Sequence, residues 1–90
     1  MREYADYLKQ QYKKARNENL KMRIDFKYED GGMGSVFVDL FPFDDGFRVG
    51  QFSMPNPKLS LNFKPQGYSV YWAIDLEDII EIELLNKEGK

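Results

Sequence analysis

The chain has 90 residues, a net charge of −2 and neither histidine nor cysteine. Ninety residues hold one domain with a single modest core, and without His or Cys the Ser-His-Asp and Cys-His routes, the usual zinc sites and disulfide exchange each lose a required part. The apolar runs are too short for a membrane-spanning helix and the N-terminus lacks the apolar stretch of a secretory signal, so the expectation is a cytoplasmic, non-enzymatic protein with no cofactor, no metal and no membrane contact.

Residues 2–19 have helical spacing, with Tyr4, Leu8, Tyr12 and Ala15 along one stripe and neither Pro nor Gly to interrupt it. Lys13, Lys14 and Arg16 near its end complement the negative pole of the helix dipole. The stripe is narrow and rich in tyrosine, which predicts a helix lying on a surface of the domain rather than inside it.

The period then changes to two. Met22, Ile24, Phe26 and Tyr28 alternate with Arg23, Asp25 and Lys27, a half-buried strand. Asp30, Gly31, Gly32, Met33 and Gly34 form a turn in which positive φ is cheap. A second strand runs from Ser35 to about Phe41, Asp45-Gly46 marks a hairpin, and a third strand runs from Phe47 to Met54 with Gly50 as the place for a bulge. After Pro55, Asn56 and Pro57 the alternation resumes from Leu59 to Phe63, and Pro65-Gln66-Gly67 suits a type I turn.

Tyr68, Val70, Trp72 and Ile74 form the next apolar face, with Trp72 pointing inward. Asp75 to Asp78 reads as a single helical turn before Ile80-Glu81-Ile82-Glu83-Leu84. Residues 76–85 also admit a helix capped by Asp75, but a helix would wrap Ile82 and Leu85 onto its acidic side, so a strand is preferred. Residues 86–90 are a polar tail of the single domain 1–90.

Together these elements predict an α+β fold: an N-terminal helix over 2–19, then five or six short antiparallel strands over 22–85 in a small β-barrel or strongly curved sheet. With one helical turn before the last strand, residues 68–85 resemble the small barrels of the SH3 or Sm type in architecture. No motif specific to either accompanies that resemblance, and architecture does not assign function.

The charge is unevenly placed. Residues 1–28 carry eight basic side chains against four acidic ones, a net +4, and the other 62 carry five against eleven, a net −6. Either the two parts attract one another within the fold, or the domain presents one face to a charged partner. The glycines at 31, 32 and 34 follow no phosphate-loop pattern, and Glu77, Asp78, Glu81 and Glu83 suit a solvated edge better than acid-base catalysis.

Aromatic residues make up 16% of the chain. If Val36, Val38 and Leu40 face the core, Phe37 and Phe41 face outward with Phe43 close by, beside Asp44 and Asp45 of the turn. These outward rings could bed the N-terminal helix, stack single-stranded nucleic acid or bind a partner. The expected function is a small protein-interaction domain, an inhibitor or adaptor of the kind a low-GC bacterium or its phage encodes. Phe37, Phe41, Phe43, Asp44 and Asp45 would meet a basic protein partner. The alternative is RNA or single-stranded DNA binding through Lys9, Lys13, Lys14 and Arg16 on the helix. Homo-oligomerisation is left open.

Overall fold

A computed structural model describes residues 2–40, 46–51 and 58–87. The helix forms as its spacing predicts, α1 over Arg2–Asn17, with Lys14 and Arg16 in its last turn. Asn19, at a φ of 56°, turns the chain out of it. Asn is among the few side chains that accept this region readily. The strands are β1 (Leu20–Lys27), β2 (Met33–Phe37), β3 (Phe47–Gln51), β4 (Leu59–Phe63), β5 (Trp72–Asp75) and β6 (Ile79–Asn86), with a 3-10 turn over Leu76–Asp78 leading into β6.

They assemble as two three-stranded antiparallel sheets, ordered β2-β1-β6 and β3-β4-β5. A corner links the two: Val38 bridges to Pro65, the Asp39 N–H donates to Lys64 O at 2.8 Å, and the Gln66 N–H donates to Phe37 O at 2.8 Å. Among the described residues the sheets do not close into the expected barrel.

The alternation of β1 puts Met22, Ile24 and Phe26 into the core. Opposite them on one side sit Val36 and Gly34, and on the other Leu84, Ile82 and Ile79. In the second sheet, Phe47-Phe63-Trp72 and Val49-Leu61-Ile74 form two cross-strand rows. Such same-face rows are the unit of sheet stabilisation.

Four expectations change. The helix is not a surface appendage: Leu8 and Ala15 are 0% exposed and Tyr12 2%, and α1 packs on β1, β3 and β6. Tyr12 lies flat on Phe47, ring centroids 4.4 Å apart and planes 14° from parallel. The ladder of β3 runs through Gly50 without a shift, and the bulge occurs instead where Asp25 pairs with Glu81 but Phe26 pairs with Ile79. Ile80 is thereby the extra residue and turns outward, 52% exposed, while Ile79 takes its place in the core row. Val70 lies outside β5 and is exposed, so the inward face of this segment begins only at Trp72, which is partly buried and packed against the core. Finally, the Pro65–Tyr68 turn closes with Tyr68 N–H to Pro65 O at 3.2 Å and has Gly67 at a φ of +87°, the mark of type II rather than type I.

Other readings hold. Residues 28–32 make the glycine turn, with Gly31 at a φ of +93° and the Gly32 N–H bonded to Asp30 Oδ1 at 2.9 Å. The segment after the 3-10 turn is a strand, not a helix, and Asp75 does not cap that turn with its side chain. An ion pair joins the two oppositely charged parts, Arg23 to Glu83, with Asp25 of the basic part on the same guanidinium.

Candidate functional site

Of the outward cluster expected from the sequence, Phe37 is half-buried at the end of β2, with Lys21 Nζ 5.5 Å from its ring centroid. Phe41, Phe43, Asp44 and Asp45 lie outside the described residues.

The basic residues of the helix separate. Lys9 and Lys13 line a cavity of about 200 Å³ with Tyr12, Phe47 and Arg48. Arg16 sits over the Tyr12 ring, its guanidinium carbon 5.4 Å from the centroid. Lys14 does not line this cavity. Tyr12, Lys13, Arg16 and Arg48 all hold contacts of their own. The rings beneath, Tyr12 and Phe47, are consumed in packing, 2% and 3% exposed. Stacking a base requires an open ring face, which this pair does not offer.

A second concavity, about 440 Å³, opens between the end of β1 and β5. The end of β1 and the following turn supply Phe26, Lys27, Tyr28 and Glu29, and β5 with the 3-10 turn supplies Trp72, Ala73, Ile74, Asp75 and Asp78. The core face of β1 runs out through Phe26, which is buried, to Tyr28, which is half-exposed just past the end of the strand. Tyr28 and Trp72 both pack steeply against the Phe26 ring. Tyr28 meets it at 5.1 Å and 78°, Trp72 at 6.3 Å and 82°. Behind Trp72, Phe63 and Tyr68 pack against it at 6.5 Å and 5.0 Å.

Gly34 seats the first wall. It lies opposite Phe26 in the hairpin, and a Cβ there would fall 2.6 Å from the Tyr28 hydroxyl oxygen and 2.9 Å from its ring. Only a residue without a side chain lets the Tyr28 ring lie where it does.

The rim is acidic. Asp75, the extended residue just before the 3-10 turn, and Asp78 at the end of that turn both line the groove, with Lys27 from the last residue of β1 and Glu29 from the chain after it. Asp75 Oδ1 accepts a hydrogen bond from the Ser60 hydroxyl at 2.8 Å, which fixes it. Asp78 has no hydrogen-bond or ion-pair partner among the described residues. The neighbouring Lys58 reports the local field: its ammonium bonds Glu77 Oε1 at 3.0 Å, and that bond, with the charges of Glu77, Asp75 and Asp78, holds its pKa above the ordinary 10.5.

Tyr68, half exposed and packed on Trp72, extends the aromatic surface beside the three carboxylates. Among the described residues no group of acidic side chains is placed to hold a metal ion. No helix among them is long and apolar enough to cross a membrane.

Sequence reasoning missed this groove because its parts lie some 45 residues apart. Two local signals pointed to it: Tyr28 continues the parity of Met22, Ile24 and Phe26 beyond the strand, and Asp75 and Asp78 bracket the single helical turn. No protein-family model, no curated protein and no solved structure matches the chain.

Proposed function

We propose that the domain is a non-enzymatic protein-interaction module, an inhibitor or adaptor, whose acidic aromatic groove receives an extended basic segment of a partner protein. The observation that carries this reading is the pairing of aromatic side chains, Tyr28 and Trp72 beside Phe26, with carboxylates in the lining of one groove. Desolvated aromatic anchors supply binding energy, and adjacent charges supply orientation and association rate.

The basic alternative is the weaker one. Lys9, Lys13, Arg16 and Arg48 surround rings that are buried, and the acidic remainder of the chain opposes phosphate binding.

Trp72 is the only tryptophan, so its emission reports the groove directly. A fifteen-residue peptide alternating Arg or Lys with Gly and Pro should perturb that emission saturably. The variant Tyr28→Ala, Asp75→Asn, Asp78→Asn should bind it at least tenfold more weakly. Changing Lys9, Lys13 and Arg48 to Gln should leave peptide binding within about twofold. Equal binding by the groove variant and the wild type would defeat the proposal. Tight, strongly salt-dependent binding of a single-stranded oligonucleotide that the Gln variant abolishes would put the nucleic-acid reading in its place.

A further inference from the structure

The groove is specific about the cation it suits. We propose that the groove lined by Tyr28 and Trp72 takes one arginine side chain of the partner, its guanidinium lying against the rings and donating to Asp75 and Asp78. The assignment rests on the groove reading above and narrows it to one chemical group.

Two features argue for guanidinium over ammonium. Tyr28 and Trp72, each set steeply to Phe26, line the groove and supply aromatic surface beside its carboxylates. A planar cation stacks on an aromatic face, and guanidinium sheds its hydration more readily than ammonium does. The acceptors come as a pair: Asp75 and Asp78 reach the groove from one turn, and a planar fork with five donors can engage two carboxylates where a compact ammonium engages one closely. Asp75 is already oriented by Ser60, and that bond uses only one of its oxygens. Asp78, without a partner among the described residues, offers both.

The test uses the wild-type protein and four acetylated, amidated nonapeptides of Gly, Ser and Pro that differ only at the central residue: arginine, citrulline, lysine or trimethyl-lysine. Citrulline keeps the planar shape and removes the charge. Trimethyl-lysine keeps the charge and removes planarity and donors. Trp72 emission gives the affinities, and amide NMR shifts at Tyr28, Asp75 and Asp78 locate the contact. The arginine peptide should bind at least tenfold tighter than the other three, and Asp78→Asn should lower its affinity about tenfold while leaving the citrulline peptide unchanged. If lysine or trimethyl-lysine matches or exceeds arginine, the guanidinium assignment falls and the groove reading stands. If none of the four perturbs Trp72 at millimolar concentration, both fall.

Discussion

Leu8 tests whether the helix belongs to the core. It is 0% exposed on a helix packed against both sheets, and Leu8→Ala leaves helix formation intact because alanine is the better helix former by a few tenths of a kcal/mol. The measured cost is then one of packing. Removing three buried carbons forfeits about 2.4 kcal/mol at ~0.8 kcal/mol each, and the unfilled space adds about 1 kcal/mol more where neighbours relax only partly. About 3–4 kcal/mol is a large share of the roughly 5–13 kcal/mol expected for a domain of this length, and should lower the melting temperature by about 15–25 °C. Tyr7→Ala is the control, one residue away on the same helix but 40% exposed and stacked only on Tyr4 at 6.0 Å. It should cost about 1 kcal/mol or less. Urea denaturation followed by circular dichroism measures both, with the slope held in common. If Leu8→Ala and Tyr7→Ala shift the midpoint equally, the helix is only an appendage and the reasoning fails.

Gly34→Ala should weaken binding of the arginine peptide about fivefold by displacing the Tyr28 ring, with a melting temperature within a few degrees of wild type, as read by Trp72 titration and a thermal scan. Ile80→Lys should cost under about 0.5 kcal/mol because the bulge turns Ile80 outward, whereas Ile82→Lys, two residues on and opposite Ile24, should cost several-fold more in the same urea assay. Burial, then the nearby Tyr7 phenol, holds the Tyr4 pKa above 10.0, and Lys58 stands above 10.5 beside Glu77. Both folded values exceed the unfolded ones, so their contributions are complete below about pH 10 and decline as pH rises through the raised values. Melting temperature should be level from pH 8 to 10 and fall beyond, less steeply in Tyr4→Phe.

What the sequence makes legible is local. The helix, the glycine turn, the Leu59–Phe63 alternation and the single turn before the last strand all follow from spacing within about ten residues. Tyr12 misled because tyrosine marks a surface stripe as readily as a core, and only its partner Phe47, 35 positions on, decides between them. Ile80 misled because one inserted residue reverses parity and leaves no mark in the alternation. The strand order and the groove depend on pairings between distant segments, for which no periodicity exists.

The ladder between β1 and β6 has a temporal consequence. It joins segments about 60 residues apart, as the Arg23–Glu83 pair does. Bringing such ends together costs chain entropy before any contact rewards it. Until that happens β1 has only its hairpin with β2, and Leu8, Tyr12 and Ala15 lack one of the three strands that cover them. Folding should therefore pass through no long-lived half-built form and should proceed in a single slow, cooperative step. The two sheets, the helix and the groove between them should arise together, so the binding surface is absent from every fragment and complete in every folded molecule.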